Sequence, residues 1–491
     1  MFRIYLENTG VTLQVPHGSN LFDILRANGA APDAPCGGNG SCKKCRVLVD
    51  GVQQLACQTT VDRDLTVSVP REPEKTNILA GGARLPVSVA PEKSGYLLAF
   101  DLGTTTVVGC LMDDHGSELA SVSMLNPQRV HGADVITRIH AALSGRMGTM
   151  TTCIRDGLAQ LTQEACEKAG IQAGQIGVVC VVGNPCMQQL FLGLSVENLV
   201  RVPFAPVITK SSLRPAREFL PLLENAVLLT PPDISGYVGA DTVACMLSTR
   251  MFEDDAVTLL VDIGTNGEMV LGGKRRMVTC STAAGPALEG ANIRFGMRAA
   301  QGAIDHVHVR DGALHAHVIG GGSAVGICGS GLIDVIACLL ELKLLNARGR
   351  LQTTDELDGE RIVRLSGDVC LTQNDIRETQ LAKGAIAAGI FLMARELGIT
   401  LDQIDRVLLA GAFGTYLDQE SACRIGLLPS QLHGKIETIG NAAGSGAKMM
   451  ACSKQEFART DALIAQTEFI ELAAVPDFQH EFARNMRFSE E

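Results

Sequence analysis

Two similar segments constrain the fold of this chain more than any other feature. The first runs from Tyr96 to Gly109 and the second from Leu259 to Gly272. Each begins as an apolar strand, reaches an aspartate and a glycine-containing turn with hydroxyl side chains, and returns as a second strand. One such hairpin is weak evidence because Asp-x-Gly is an ordinary turn. Two of them predict an internal duplication.

The two turns carry the residue types that hold nucleotide phosphates. Backbone amides and hydroxyl groups bind phosphate oxygens, while aspartates hold Mg²⁺ through water. We predict Asp101 and Asp262 as the catalytic carboxylates that position Mg²⁺ and water, with a hairpin-capping role as the plainer alternative for each. The residues predicted to contact phosphates are Gly103, Thr104, Thr105, Thr106, Gly264, Thr265 and Asn266.

Three glycine-containing segments further along the chain agree with a nucleotide site. They span 407–414, 326–334 and 439–447, and the second would open a helix whose N-terminal amides suit an anion. Any one of them is most often a helix–strand junction. Together with the paired hairpins they resemble the sugar-kinase, heat-shock chaperone and actin superfamily of ATPases. The resemblance adds four predicted ATP-binding residues: Gly329, Gly411, Ala412 and Gly444.

Four cysteines near the start of the chain predict a 2Fe–2S cluster. The spacing is five residues from Cys36 to Cys42 and two from Cys42 to Cys45, and Cys57 follows. Four thiolates must wrap an inorganic core, and the glycines between the first two permit that close approach. The plant-type spacing has four residues where this chain has five. Zinc is the competing interpretation, but zinc sites usually have two short cysteine knuckles and this segment has one.

The sequence around the cysteines predicts a small ferredoxin domain. Residues 2–6 and 11–15 alternate apolar and polar side chains, as do 46–49 and 65–69, which indicates four half-buried strands. A short helix through Leu21 follows a Ser19 or Asn20 cap. This order resembles the β-grasp ferredoxins over residues 1–70, so the fold class is α/β, with this domain preceding the ATPase.

Length and composition set the outer bounds. A chain of 491 residues with 46% apolar residues should form two or three domains. Prolines and glycines without a helical or strand period make 71–95 a linker to an ATPase domain at 96–491, with halves of roughly 96–256 and 257–491. The net charge of −11 argues against nucleic acid or an anionic membrane as the partner. Scattered cysteines favour a reducing cytoplasm.

Over essentially its whole length the chain resembles the reductive activators of corrinoid proteins, which act in anaerobic methyl-transfer metabolism. Long, irregular motifs carry this resemblance: 126–128 with 132–139, 183–190, 234–242, 284–291 and 326–331. It implies ATP-dependent reduction of inactive Co(II) to Co(I), with a 2Fe–2S cluster, ATP and Mg²⁺ as cofactors. The implied partners are a corrinoid protein and an upstream low-potential electron donor. A homodimer stays open, and the separate middle domain of longer relatives is expected to be absent or reduced.

Rival functions come from other classes. The nearest is an activator of another low-potential enzyme, such as a hydroxyacyl-CoA dehydratase, although those activators hold a 4Fe–4S cluster between subunits. A small-molecule kinase would share the nucleotide cleft but gain nothing from a ferredoxin domain. A chaperone would need a substrate domain after the ATPase, and a plain electron carrier would not need some 400 further residues.

Overall fold

The computed structural model describes most of the chain. Outside the described residues lie 33, 35–37, 39, 41–43, 70–86, 412, 413, 415, 490 and 491. Cys36, Cys42 and Ala412, together with most of the predicted linker, therefore lie outside the described part. All other predicted site residues fall within it.

The N-terminal residues form a five-stranded sheet with one helix across it. The sheet order is β2-β1-β7-β4-β5, and a separate pair joins β3 to β6. Asn20 caps helix α1 by accepting a hydrogen bond from the backbone N–H of Asp23, as expected for this residue type. The predicted β-grasp fold is confirmed. Its elements are β1 Phe2–Leu6, β2 Val11–Val15, β3 Ser19–Asn20, α1 Leu21–Ala27, β4 Arg46–Val49, β5 Val52–Leu55, β6 Thr60–Val61 and β7 Leu65–Ser68.

Two six-stranded sheets are the main layers of residues 96–491, and five strands of each sheet have the same arrangement. In each sheet an antiparallel three-strand meander continues into two parallel strands on its other side. The first sheet has the order β10-β9-β8-β11-β13-β12, with β8 Tyr96–Leu102, β9 Thr106–Met112, β10 Glu118–Leu125, β11 Ile176–Gly183, β12 Ser212–Pro215 and β13 Val227–Thr230. The second has the order β24-β23-β14-β15-β16-β25, with β14 Thr258–Ile263, β15 Gly267–Gly272, β16 Met277–Thr282, β23 Arg406–Ala410, β24 Ile436–Gly440 and β25 Thr467–Phe469. The predicted duplication is therefore visible in the topology.

Helices and two small sheets surround these layers. In the first half the helices are α2 Val135–Ala141, α3 Met147–Ala169, α4 Pro185–Leu192 and α5 Ala240–Thr249. In the second half they are α6 Gly329–Glu341, α7 Gln373–Leu397, α8 Gln419–Arg424, α9 Ala442–Cys452, α10 Lys454–Ala465 and α11 Phe478–Asn485. The small sheets contain β17 Ala303–Arg310, β18 Ala313–Val318 and β19 Gly326–Ile327, and β20 Glu356–Leu357, β21 Glu360–Ser366 and β22 Val369–Thr372.

The two halves share a hydrophobic core in which α5 packs against α9. A Cβ at Gly446 would lie 2.1 Å from the carbonyl oxygen of Ala244. Only a glycine therefore allows these helices to approach so closely. This crossing sets the distance between the halves, and a cleft opens between their hairpin turns.

The end of the predicted linker is attached to the second half. Ala90 donates its N–H to the carbonyl of Cys452 at 2.9 Å and accepts from the N–H of Lys454 at 3.0 Å. Residues 87–95 therefore follow the ATPase surface before β8 begins. None of the helices in the described part of the chain combines the length and apolar character needed to span a bilayer.

Candidate functional site

The cleft between the two halves contains most of the predicted nucleotide-binding residues. The predicted residues that line it are Asp101, Gly103, Thr104, Thr105, Thr106, Gly264, Thr265, Asn266, Gly329, Gly411 and Asp262. Residues from the two repeated hairpins thus face each other across one space, although many positions separate them in the sequence.

Strand pairing positions the two aspartates. Asp101 is near the end of β8, next to Val182 of the parallel strand β11. Asp262 holds the equivalent place in β14, next to Ala410 of β23. Parallel strands end at the same edge of a sheet, so each carboxylate projects where its hairpin turn and the following loops meet.

Buried polar side chains support the first hairpin turn from behind. Asn126 Nδ2 donates to the carbonyl of Gly103 at 2.8 Å, and Asn184 Nδ2 donates to Thr104 Oγ1 at 2.9 Å. The guanidinium of Arg138 donates to the carbonyl of Thr104, and burial lowers the pKa of Arg138 to about 10. Because these partners fix the turn, its amides and hydroxyls are preorganised for an anion.

Four partly buried acidic side chains, Asp101, Asp241, Asp262 and Glu268, line the cleft. Burial, reinforced by neighbouring carboxylates, raises the pKa of Asp101, Asp241 and Asp262 to about 7 in each case. Burial likewise raises the pKa of Glu268 well above its ordinary value. Such a set of oxygen donors suits a hard divalent cation, whose charge would offset the mutual repulsion. The described residues contain no group of three or more His, Cys, Asp or Glu side chains close enough to bind a metal ion directly, so these carboxylates suit Mg²⁺ that is held through water.

Glu289 connects the two hairpin turns directly. Thr105 Oγ1 of the first half and Thr265 Oγ1 of the second both donate to Glu289 Oε2, at 3.0 and 3.1 Å. Glu289 ends a short 3₁₀ helix, Pro286–Glu289. One carboxylate thus joins hydroxyl groups that we predict to contact phosphate.

Two of the predicted glycines lie in surroundings that differ from the expectation. The segment expected as a glycine loop is the N-terminus of α9, where Gly444 donates its N–H to the side chain of Asn441. The cleft wall there consists of Asn441, Ala442 and Ala443, and Gly444 does not line it.

Gly411 does line the cleft, with φ +84, and a Cβ at this position would lie 2.7 Å from Asp262 Oδ1. Gly411 thus lies directly beside Asp262, the carboxylate that we predict to be catalytic.

Sequence reasoning missed several residues that line the cleft. These are Asp241, Glu268, Glu289, Arg298 and Asn441, among others. A signal existed for two of them, because Asp241 and Glu289 stand inside the long motifs that carry the family resemblance. A carboxylate in an otherwise apolar or glycine-rich motif is costly to bury without a purpose.

Two of the four predicted cluster ligands are described, and they converge. Cys45 Sγ and Cys57 Sγ lie 3.2 Å apart, and neither cysteine forms a disulfide. Two sulfurs on one tetrahedral metal with bonds of about 2.3 Å would be roughly 3.7 Å apart, so this pair fits two thiolates on one iron after a small adjustment. Cys36 and Cys42 would complete the set.

Three family models together match most of the chain. Residues 4–62 match the 2Fe-2S iron-sulfur cluster binding domain, residues 96–254 the RACo middle region, and residues 256–491 the C-terminal domain of RACo, the ASKHA domain. The middle region is therefore present as the first half of the ATPase. We expected the family's middle domain to be absent or reduced. That expectation was wrong, because residues 96–254 correspond to it.

Individual relatives agree with these matches. The chain is 35% identical to the corrinoid activation enzyme RamQ of Eubacterium limosum, over 85% of this chain and 75% of that protein. It is 27% identical to the [Co(II) methylated amine-specific corrinoid protein] reductase of Methanosarcina barkeri, over 73% and 70%. The solved reductive activator for corrinoid, iron-sulfur protein superposes with a TM-score of 0.72 at 26% identity, covering 99% of this chain and 98% of that one.

The fold and the site define an ATPase of the actin and sugar-kinase type, which a ferredoxin domain precedes in the chain. Within that class, the chain belongs to the RACo family, the reductive activators of corrinoid proteins. Its cofactors are a 2Fe–2S cluster in the N-terminal domain, ATP and Mg²⁺.

Proposed function

We propose that this protein carries out the ATP-dependent reductive activation of a corrinoid protein, returning inactive Co(II) to Co(I). The observation that carries the proposal is the joining of converging cluster thiols and a duplicated nucleotide cleft in one chain. The similarity to proteins named as corrinoid activators over nearly the full length supports the same function. The chain acts as an enzyme that couples ATP turnover to electron transfer.

The residues divide into two working groups. Cys36, Cys42, Cys45 and Cys57 hold the cluster, which supplies one-electron reduction at low potential. In the cleft, Asp101 and Asp262 position Mg²⁺ and the attacking water, and Asp241 adds a third carboxylate beside them. The turn residues from both halves bind phosphate oxygens: Gly103, Thr104, Thr105, Thr106, Gly264, Thr265 and Asn266.

ATP is needed because the electron transfer is uphill. Plant-type 2Fe–2S centres have potentials near about −400 mV, and cobalt reduction requires a lower one. Each shortfall of roughly 100 mV opposes transfer of one electron by about 2.3 kcal/mol, roughly fiftyfold in the equilibrium constant. ATP can offset this if its bound states differ in their affinity for the corrinoid protein.

The cellular setting follows from the same chemistry. A reduced cluster and many buried thiols fit a cytoplasmic protein that receives its electron from a low-potential donor. None of the described cysteines forms a disulfide, and most of them are buried. We keep a homodimer as the hypothesis for the assembly, which light scattering of the cluster-loaded protein will test.

The decisive experiment mixes the reduced protein with a Co(II) corrinoid protein from its own organism under anaerobic conditions. With MgATP, the absorption band of Co(I) should appear. Without nucleotide, or with a Cys57→Ser variant that lacks one cluster ligand, the band should not appear. Cys423→Ser is the matched control and should behave like the parent, because Cys423 is far from the cluster ligands in the second half.

Three outcomes would contradict the proposal. Zinc without labile sulfide in anaerobic preparations would remove the electron carrier. Reduction that proceeds equally well without nucleotide would remove the coupling to ATP. Activation of a hydroxyacyl-CoA dehydratase, with no response from any corrinoid protein, would favour the rival activator function.

A further inference from the structure

One lysine connects the ferredoxin domain to the nucleotide cleft. Lys44 directly precedes the cluster ligand Cys45, and its Nζ donates a hydrogen bond of 2.9 Å to the carbonyl oxygen of Gly290. Gly290 directly follows Glu289, the carboxylate that joins the two phosphate-binding turns. The path from Cys45 to Thr105 thus consists of two pairs of neighbouring residues and two hydrogen bonds.

The turn that contains Glu289 and Gly290 is tightly packed. Gly290 has φ +81, and a Cβ on it would lie 2.7 Å from both the nitrogen and the oxygen of Met297. A Cβ on Gly296 would lie 2.1 Å from the Gly290 oxygen itself. In a turn packed this closely, a backbone shift at Glu289 cannot be absorbed locally and would be passed on to the Gly290 carbonyl.

Bound nucleotide competes directly for the partners of Glu289. A threonine hydroxyl has one hydrogen to donate, and Thr105 and Thr265 both give theirs to Glu289. Phosphate oxygens entering between the turns would take these hydrogen bonds. Their negative charge would also repel the carboxylate at short range. Glu289 must therefore move when the cleft fills.

A second contact between the domains contributes little to holding them together. Arg26 of α1 is 9% exposed and pairs with Asp23, while Arg146 of the first half lies 4.0 Å from the same Asp23. Arg26 Nη1 and His131 Nδ1 are buried and lack a hydrogen-bond partner among the residues that the structure describes. Because Arg146 and Asp23 are both largely exposed to solvent, this ion pair contributes little to stability.

We propose that Glu289 responds to bound nucleotide and thereby controls the hydrogen bond from Lys44 to the Gly290 carbonyl, which we call the latch. Without nucleotide, Glu289 stays on the two threonines and the Gly290 carbonyl holds Lys44, which keeps the ferredoxin domain beside the cleft. MgATP displaces Glu289, withdraws the Gly290 carbonyl and releases the ferredoxin domain to approach its partner. The purpose of this release rests on the proposed function, but the release itself needs no corrinoid protein to be observed.

Thermodynamic linkage between nucleotide binding and the Lys44–Gly290 hydrogen bond predicts a measurable change in nucleotide affinity. If nucleotide weakens the latch, a broken latch must strengthen nucleotide binding by the same factor. Lys44→Ala should therefore lower the Kd for MgATP by about tenfold, the factor expected from losing one hydrogen bond to a charged donor. A lysine with only a local structural role in the ferredoxin domain would leave this Kd unchanged.

The test measures release on the full, cluster-loaded chain. Small-angle X-ray scattering should show a larger radius of gyration for the parent when Mg²⁺ and a non-hydrolysable ATP analogue are added. Lys44→Ala should have the larger radius with or without the analogue, and Glu289→Gln should bind the analogue but keep the smaller radius. The matched control is Arg63→Ala, an exposed residue paired with Asp50 within the ferredoxin domain, and it should respond like the parent.

The outcomes separate this inference from the proposed function. If Lys44→Ala keeps the parent's nucleotide-dependent radius and Kd, or if the parent does not expand, the latch is refuted. In that case Co(II) reduction by the parent would still support the proposed function. If the parent expands and the variants behave as described, the latch is supported even where no corrinoid protein is reduced.

Discussion

At the scale of single residues, the cleft is governed by carboxylates that burial keeps close to neutral. Asp262 lies beside Asp241 and Glu289, and burial together with these neighbours raises its pKa to about 7. A bound Mg²⁺ would reverse this effect by favouring the ionised form. The same side chain can thus pass from a partly protonated acid to a carboxylate that orients water, depending on whether the metal is present.

Replacing Asp262 by asparagine should separate hydrolysis from binding. The substitution keeps the shape beside Gly411 but removes the charge that positions water, so kcat for ATP hydrolysis should fall by about a hundredfold or more. The Kd for ATP should change much less, because a water-positioning group acts mainly in the transition state. Asp254→Asn, at a partly exposed carboxylate paired with Arg406, is the control. Hydrolysis at the parental rate would remove Asp262 from the catalytic residues.

At the scale of elements, the cleft depends on how closely two helices cross. Helices α5 and α9 belong to different halves, and Gly446 lets the backbones touch at Ala244. The two sheets carry the hairpin turns, but this crossing sets the distance between them. Residues that bind no ligand therefore control the spacing of Asp101 and Asp262.

The crossing can be tested with paired glycine substitutions. Gly446→Ala should destabilise the ATPase by about 1–3 kcal/mol, because the added methyl group forces the helices apart. Gly148→Ala, in α3, meets open space and should instead stabilise by about 0.5–1 kcal/mol. Thermal unfolding followed by circular dichroism measures both. Equal midpoints for the two variants would show that the contact at Ala244 does not limit the approach.

At the scale of the whole molecule, the end of the chain returns to the second half and is held by a buried lysine. Lys383 of α7 donates to the carbonyls of Asn485 and Arg487, the latter at 2.9 Å, and lies over the ring of Phe488. Burial lowers the pKa of Lys383 to about 7 from an ordinary value of 10.5. The folded protein therefore binds this proton less readily than the unfolded chain.

This difference predicts how stability changes with pH. Between about pH 7 and pH 10 the unfolded chain keeps the proton of Lys383 while the folded protein loses it, so the free energy of unfolding rises with pH. The rise is at most about 1.4 kcal/mol per unit. Lys383→Met should lack this contribution, and other titrating groups cancel in the comparison. Urea unfolding of both proteins at pH 7 and pH 9 measures it, and a stability difference that is constant with pH would refute the assignment.

Local patterns in the sequence were enough to predict the modules. A strand, an aspartate and a glycine turn within about a dozen residues specify a hairpin through alternation and turn chemistry alone. The cysteine spacing from Cys36 to Cys57 likewise depends on one short loop. The roles of the individual site residues stay predictions. The fold and the cofactors, in contrast, followed from segments in which all the relevant residues are neighbours in the chain.

Only the tertiary structure decided which distant residues complete the cleft. Thr105, Thr265 and Glu289 meet on one carboxylate oxygen, and Lys44 reaches Gly290, although long stretches of chain separate these positions. No periodicity or spacing encodes such contacts, because they depend on how the sheets, the α5–α9 crossing and the ferredoxin domain pack together. The sequence determined the parts by local chemistry, and packing between those parts determined how they are connected.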